Sequence, residues 1–207
     1  GEPLRILCLG AHSDDIEIGC GGAMLTLLAA HPGSSVRWLV FSGDETRAAE
    51  ARSSAADFLA AASEREVRTL GFHESFFPYD GAAIKSAFES QSDFEPDLIF
   101  THRGADRHQD HRLIAELTWN TFRDHLILEY EIPKWDGDLG RPNVYVQLDG
   151  VHCDRKVEIL LDAFPSQRDK HWFSEETFLG LMRIRGIEAK APSGYAEAFH
   201  CRKLVAG

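Results

Sequence analysis

The chain has few cysteines, no long apolar run and a deficit of positive charge. Its 4 cysteines are widely spaced and form no C-x-x-C pair, so neither a disulfide framework nor a thiolate zinc cluster is expected. No apolar stretch approaches the roughly 20 residues that a membrane-spanning helix needs. Lys and Arg number 22 against 33 Asp and Glu, a net charge of −11. This charge disfavours nucleic acid and anionic lipid surfaces as partners.

The signatures of several protein classes are also missing. The sequence contains neither the G-x-x-x-x-G-K-[ST] loop of nucleotide hydrolases nor the G-x-S-x-G elbow of serine esterases. The glycine-rich stretch 19–22 lacks the G-x-G-x-x-G spacing, and the acidic residues before it would repel a pyrophosphate. The N-terminal residues lack the basic and apolar regions of a secretory signal. If the chain is complete, we expect it to be cytoplasmic.

Length and pattern predict one α/β domain spanning residues 1–207. Of the 207 residues 43% are hydrophobic, enough for one substantial core. Predicted strands at 4–10, 35–42, 66–72 and 97–101 alternate with predicted helices at 21–30, 47–62, 84–90 and 111–122. This alternation predicts a Rossmann-like, mostly parallel sheet with helices on both faces. The C-terminal third is predicted to hold strands at 126–132 and 143–148, helices near 154–164 and 175–184, and a last strand at 196–205.

Histidines and carboxylates follow two of the predicted strands. The first strand is followed by His12, Asp14 and Asp15, and the fourth by His108, Asp110 and His111. The carboxyl ends of parallel strands meet at one edge of the sheet, where α/β proteins bind ligands. His12, Asp15 and His111 could therefore converge on one Zn²⁺ ion and leave a coordination position open for water, as in catalytic zinc sites. Fe²⁺ accepts the same donors.

The remaining residues of these clusters suit acid–base chemistry. Asp14 could act as the general base, and a protonated His108 could stabilise an oxyanion and protonate a leaving amine. Asp110 could orient the His108 imidazole and favour its charged form. The alternative is that Asp14 and Asp110 only cap helices, and that the histidines are ordinary hydrogen-bonded residues. Two such clusters, at two strand ends in a βα order, favour the metal hypothesis.

The stretch AHSDDIEIGCGG, residues 11–22, resembles the first motif, A-H-P-D-D-x-E-x-G-x-G-G, of PIG-L/LmbE-like deacetylases. These metal-dependent enzymes remove N-acetyl groups from glucosamine-containing molecules. Residues 108–111 resemble the family's H-x-D-H motif, residues 47–50 its R-x-x-E pattern, and residues 80–81 a short D-G element. The similarity extends over nearly the whole chain. Ser13 stands where the family has proline, which is expected to loosen the turn slightly.

The resemblance implies a role for each motif residue. It makes His12, Asp15 and His111 zinc ligands, Asp14 the base, and His108 an electrophile that Asp110 orients. It also implies that Arg47 and Asp80 contact sugar hydroxyls. The alternatives are that Arg47 merely pairs with neighbouring glutamates and that Asp80 is only a turn residue before Gly81. Three aromatic residues could stack on a sugar, although core burial is their default: Tyr130, Trp135 and Trp172.

The function that the resemblance implies is metal-dependent hydrolysis of the N-acetyl group of a small N-acetylglucosamine conjugate, with Zn²⁺ or Fe²⁺ as cofactor. The partner is then a small molecule, and homo-oligomerisation stays open. Two other functions compete with this one. The first is a metal-containing sugar-binding protein without turnover, which would need neither a base nor an acid. The second is an oxidoreductase on a Rossmann-like sheet, which would bind a nicotinamide dinucleotide.

Overall fold

The computed structural model describes residues 1–91 and 93–205. Its strands are β1 (Arg5–Gly10), β2 (Ser35–Ser42), β3 (Glu64–Phe72), β4 (Leu98–His102), β5 (Leu126–Tyr130), β6 (Val144–Leu148) and β7 (Tyr195–His200). Its helices are α1 (Asp15–Ala30), α2 (Glu45–Phe58), α3 (Gly81–Glu89), α4 (Gln109–Thr121), α5 (Gly150–Ala163) and α6 (Glu175–Glu188), with a short 3₁₀ turn at Pro165–Gln167.

The strands form one sheet in the order β3-β2-β1-β4-β5-β7-β6. The pairs from β3 through β5 are parallel, whereas β7 runs antiparallel to both β5 and β6. The predicted mostly parallel α/β sheet is therefore confirmed. The direction in which successive strands are added reverses between β1 and β4, which leaves a crevice beyond their carboxyl ends. The two predicted residue clusters follow these two strands.

Each face of the sheet carries its own apolar core. Ile6 and Cys8 of β1 pack in the larger core, which includes side chains from α1, α2, α5 and α6. Leu7 and Leu9 point to the other face and pack with side chains of α3 and α4. Successive residues of a strand face opposite sides, so an uninterrupted apolar run serves both cores. The prediction of helices on both faces is confirmed.

The largest differences between predicted and observed boundaries are at the first helix and the last strand. The sequence predicts the first helix from residue 21, but α1 begins at Asp15 and is interrupted at Cys20, where φ is −144° and ψ is 15°. It predicts a last strand that reaches residue 205, but β7 ends at His200 because its partner β6 begins only at Val144. Beyond that point the Cys201 amide donates to the side chain of Asn143 (2.8 Å) instead of to a strand. Among the described residues, no helix is both long and apolar enough to cross a bilayer.

Candidate active site

The turn that carries the first motif is supported by a buried ion pair from the far end of the chain. At the Cys20 interruption of α1, Lys156 donates to the Ile18 carbonyl (2.6 Å) and pairs with Glu197. Glu197 in turn accepts from the amides of Gly22 (2.9 Å) and Ala23 (2.6 Å). These groups supply partners that the broken helix lacks. We call Lys156 and Glu197 the kink pair.

The glycines of the first motif allow close packing around this interruption. A Cβ at Gly19 would lie 2.3 Å from the ring of Tyr130, and a Cβ at Gly22 would lie 2.7 Å from Leu148. Larger residues would therefore push the motif away from the sheet. The Tyr130 hydroxyl donates to the Leu9 carbonyl (2.7 Å), so the same ring also holds the end of β1. This explains the glycine-rich stretch without any phosphate ligand.

The three predicted metal ligands converge at the crevice between β1 and β4. His12 Nδ1 lies 3.1 Å from His111 Nε2 and 3.2 Å from Asp15 Oδ2, and the latter two atoms are 3.4 Å apart. Zinc–ligand bonds of about 2.0–2.1 Å in tetrahedral geometry place neighbouring donors about 3.3 Å apart. The three atoms, which we call the donor triangle, therefore have the spacing that a tetrahedral divalent ion requires. The side chains are buried, so the donors are held in place.

The charges around the donor triangle favour a cation. Burial opposes the charged form of His12, but the carboxylates of Asp15 and Asp110 outweigh it and raise its pKa to about 10. Burial likewise opposes protonation of His111, whose pKa is nevertheless raised by Asp15 and Asp106. Positive charge is therefore strongly stabilised here. Because metal ligation requires neutral imidazoles, a divalent ion and protons compete for the same position.

Asp106 fixes the orientation of the His111 ring. Its Oδ2 lies 3.0 Å from His111 Nδ1 and 2.9 Å from Lys134 Nζ. With Nδ1–H donating to the carboxylate, Nε2 is left as a free donor atom for a metal, the usual arrangement for metal-bound histidines. Asp106 was not predicted from the sequence. The available signal was an acidic residue in the loop that leads from β4 into the H-x-D-H motif.

His102, at the end of β4, was also missed. Its Nε2 accepts from the Ala11 amide (2.9 Å) and lies 3.2 Å from Asp15 Oδ2. Its ring stacks on His111, with 3.9 Å between centroids. Burial and the neighbouring His111 charge lower its pKa to about 4, so the ring is neutral. His102 therefore joins the ends of β1 and β4 and supports the His111 ring.

Asp14 lies beside the donor triangle and carries the features of a base. It is the N-cap residue of α1, yet its Oδ1 accepts a hydrogen bond from Arg47 Nη2 (3.0 Å). Burial raises its pKa, and the Asp15 charge adds to this, against the opposing effect of Arg47. A carboxylate whose pKa is raised toward neutrality takes up and returns protons more effectively.

The structure places His108 and Asp110 differently from the sequence-based expectation. Asp110 was expected to orient His108, but its carboxylate lies 3.2 Å from His12 Nε2 and accepts from the amides of Ser75 (2.6 Å) and Phe77 (3.2 Å). Asp110 therefore ties His12 to the β3–α3 loop. The reason is that His108 precedes α4 as its N-cap, whereas Asp110 lies inside the first turn and points elsewhere.

His108 nevertheless lies next to the donor triangle. Its ring centroid is 4.8 Å from that of His12 and 4.6 Å from that of His111. Burial and these two neighbouring imidazoles lower its pKa, so the protonated form that we expected is not the resting form. Its Nδ1 accepts from the Asp110 amide (3.3 Å), which leaves Nε2–H as the donor. A neutral imidazole in this tautomer can still donate to a developing oxyanion.

The two predicted sugar contacts differ in position. Arg47 lines the cleft above the donor triangle, and besides Asp14 it donates to Ser166 Oγ (3.2 Å). Asp80 is the N-cap residue of α3 and is not among the described residues that line the cleft. The β3–α3 loop is turned by its hydrogen bonds to Asp110, so that it contributes Glu74 to the cleft instead. The structure therefore does not bring Asp80 to the site.

Replacing Asp106 by alanine is expected to weaken zinc binding by about 10–100-fold, since the ring of His111 loses the partner that orients it. Competition with a chromophoric chelator measures this affinity. Asp162→Asn, which neutralises an exposed carboxylate on α5, is the control and should bind zinc as the unmodified chain does. Equal affinities for the two variants would show that His111 needs no support from Asp106.

Comparison with known proteins gives one family and several similar folds. Residues 7–122 match the family model described as PIG-L, GlcNAc-PI de-N-acetylase. No curated protein matches the chain. The conserved protein TT1542 from Thermus thermophilus is a similar solved structure, with a TM-score of 0.74 and 19% identity over 99% of this chain and 97% of that one.

Two further solved structures share the fold and carry different activities in their names. N,N'-diacetylchitobiose deacetylase from Pyrococcus horikoshii has a TM-score of 0.73 and 19% identity over 95% of this chain and 83% of that one. GalB, the 4-carboxy-2-hydroxymuconate hydratase from Pseudomonas putida, has a TM-score of 0.80 and 16% identity over 99% of this chain and 98% of that one. The fold is thus compatible with more than one reaction, and the reaction has to be argued from the site.

Proposed function

This chain belongs to the PIG-L family, and from that membership together with its cleft we propose that it is a metal-dependent N-deacetylase. Its substrate is a small molecule that contains N-acetylglucosamine, and its products are acetate and a free amine. We propose Zn²⁺ as the metal, with Fe²⁺ as the alternative for the same donors, and residues 1–207 as one catalytic domain. The observation that carries the proposal is the donor triangle of His12, Asp15 and His111 beside the Asp14 carboxylate.

The cleft has room for a sugar. It encloses about 660 Å³ including its open mouth, and the donor triangle lies in its lining. Charged and aromatic side chains share this lining with the ligand residues, among them Arg47, Glu74, Lys134, Trp135 and Trp172. A mixed lining of this kind suits a ring with an apolar face and hydroxyl groups around its edge.

In the proposed reaction each residue acts on one atom of the substrate or of water. The donor triangle would hold a zinc ion, whose Lewis acidity would polarise an amide carbonyl and acidify a water. Asp14 takes a proton from the attacking water, while its hydrogen bond to Arg47 (3.0 Å) keeps the carboxylate oriented. His108 Nε2–H donates to the carbonyl oxygen as negative charge develops there.

The leaving amine requires a proton when the C–N bond breaks. The lowered pKa of His108 makes it a poor source. The raised pKa of Asp14 makes the proton that it has just accepted available to the nitrogen. We therefore assign both proton transfers to Asp14, and to His108 the stabilisation of the oxyanion.

Acetate release tests this function directly. Zinc-loaded protein is expected to contain about one Zn²⁺ per chain, the number of donor triangles, and to release acetate and amine in equal amounts from an N-acetylglucosamine conjugate. Chelation should abolish the release, and added Zn²⁺ or Fe²⁺ should restore it. Saturable binding of acetylated sugars without any acetate, with each metal in turn, would instead support the sugar-binding protein without turnover.

A further inference from the structure

A second carboxylate lies behind the arginine of the cleft. Glu50 follows Arg47 by one helical turn on α2 and is not among the described residues that line the cleft. Its Oε2 lies 3.5 Å from Arg47 Nη1, so the two side chains form an ion pair. Both are largely shielded from water, with 15% of the arginine side chain and 8% of the glutamate side chain exposed. The pair therefore differs from a surface ion pair, which solvent screens.

Ser166 holds this carboxylate from a distant part of the chain. Its amide donates to Glu50 Oε1 (3.0 Å) and its hydroxyl to Oε2 (2.6 Å), so one residue provides a donor to both oxygens. The same hydroxyl accepts from Arg47 Nη1 (3.2 Å). Ser166 belongs to the 3₁₀ turn between α5 and α6, outside the residues 7–122 that match the family model. The C-terminal third of the chain therefore completes this contact.

The turn that carries Ser166 is fixed by the apolar core. Phe164, two residues before Ser166, is fully buried, and its ring centroid lies 6.3 Å from that of Phe173 beyond the turn. Phe173 is also buried, at 4% exposure. The guanidinium of Arg47 lies over the Phe164 ring, 5.8 Å from its centroid. Core packing therefore sets the position at which Ser166 meets Glu50 and Arg47.

The other end of the Arg47 guanidinium reaches the proposed base. Its Nη1 is held by Ser166 and Glu50, whereas its Nη2 donates to Asp14 Oδ1 (3.0 Å). A guanidinium is a planar fork, so fixing one nitrogen fixes the direction of the other. Among the described residues, Asp14 Oδ2 has no hydrogen-bond donor, and it is left to accept a proton from water. Glu50 therefore acts on the orientation of Asp14 without lining the cleft.

Removal of Glu50 would change how Arg47 divides its hydrogen bonds. Asp14 and Glu50 are the two carboxylates with which Arg47 pairs among the described residues. Without Glu50 the guanidinium has one carboxylate left, and arginine frequently pairs with a lone carboxylate through two parallel hydrogen bonds. Both oxygens of Asp14 would then be occupied, and neither would be free to take a proton from water.

We propose that Glu50, held by Ser166, is a positioning residue that keeps Arg47 on one oxygen of Asp14 and leaves the other oxygen free for proton transfer. This inference rests on the proposed function, in which Asp14 is the base. It deepens that function by giving Glu50 and Ser166 a role in the same reaction. Neither of these two residues is among the described residues that line the cleft, so both act through Arg47.

The kinetics of zinc-loaded variants tests the role of Glu50. Glu50→Ala should lower kcat for acetate release by about 10–100-fold, the order expected when a catalytic group is misplaced by about 1 Å. Glu50→Gln should recover part of this loss, because its amide oxygen can still accept from the Ser166 backbone. Glu45→Ala is the matched control, since Glu45 is an exposed carboxylate in the first turn of the same helix and should leave kcat unchanged. A Glu50→Ala variant with the kcat of the control would contradict the proposal.

A second background separates positioning from general destabilisation. In Asp14→Asn the base is already absent, so adding Glu50→Ala should change the remaining kcat by no more than about twofold, within the usual scatter of additivity. A merely structural role would lower kcat by the same factor in both backgrounds, and that result would overturn the proposal. Ser166→Ala should show the same dependence on Asp14 with a smaller loss, because Glu50 can still pair directly with Arg47.

Crystal structures of the zinc-loaded variants separate failure of this inference from failure of the proposed function. If the unmodified chain releases no acetate, the proposed function is wrong, but the position of Arg47 still tests the role of Glu50. In Glu50→Ala we expect Arg47 to contact both oxygens of Asp14, and in Glu45→Ala to keep its single contact with Oδ1. An Arg47 that turns away from Asp14 in Glu50→Ala alone would also show that Glu50 positions it. An Arg47 that keeps the single contact in Glu50→Ala overturns the inference, with or without acetate release.

Discussion

Replacing Asp14 by asparagine is expected to lower kcat for acetate release by about 10²–10⁴-fold, the usual contribution of a general base. Asparagine keeps the size of the side chain and can still accept the hydrogen bond from Arg47, but it cannot take a proton from water. Asp14 is not part of the donor triangle, so zinc content should stay unchanged. Initial rates, with zinc measured on the same sample, check both expectations.

A variant that loses the metal is the control for Asp14→Asn, which loses only the base. His12→Gln removes a member of the donor triangle and should lower zinc content and activity together. Asp14→Asn should lower activity alone. A zinc-loaded Asp14→Asn variant whose kcat stays within about threefold of the unmodified chain, well below the effect of a general base, would exclude Asp14 as the base. Both proton transfers would then have to be assigned to another group.

Replacing Glu197 by alanine is expected to reduce the free energy of unfolding by about 3–5 kcal/mol, the usual effect of leaving one member of a buried ion pair unpaired. Glu197 is 4% exposed and Lys156 is 2% exposed, so water cannot replace the lost partner. The amides of Gly22 and Ala23 lose their acceptor as well. For a chain of this size the melting temperature should fall by roughly 6–20 °C.

Two companion variants separate the charge of the kink pair from its hydrogen bonds. Lys156→Met combined with Glu197→Gln removes both charges, keeps the volumes and retains one acceptor. It should recover much of the stability that Glu197→Ala loses, because no buried charge is left alone. Lys156→Met by itself should be less stable than the double variant. If Glu197→Ala loses less than about 1 kcal/mol, a typical net hydrogen bond, the kink pair does not stabilise the interrupted helix.

The fold by itself does not determine which reaction the site of this protein supports. Its sheet and helices align with a deacetylase and with a hydratase at comparable TM-scores, 0.73 and 0.80. Identities of 19% and 16% establish shared architecture only. The PIG-L family match and the donor triangle with its neighbouring carboxylate are what favour amide hydrolysis.

Local pattern was sufficient for the succession of the elements and for the candidate ligand residues. The apolar strands at residues 4–10 and 97–101 were predictable because each is buried on both faces of a parallel sheet. His12, Asp15 and His111 were predictable as candidate ligands because they follow two predicted strands, and the carboxyl ends of parallel strands meet at one edge. The interruption at Cys20 was not predicted, since its partners Lys156 and Glu197 lie far along the chain.

The sequence by itself determined the class of sheet, the succession of its first strands along the chain and the three candidate donors, because each of these follows from short-range periodicity and chain order. Only the tertiary structure decided which partners those donors have. It assigned Asp106 to His111, Asp110 to His12 instead of His108, and Glu74 instead of Asp80 to the cleft. The physical reason is that a polar side chain pairs with whichever group the packing of distant segments leaves within about 3 Å, and local sequence carries no record of that packing.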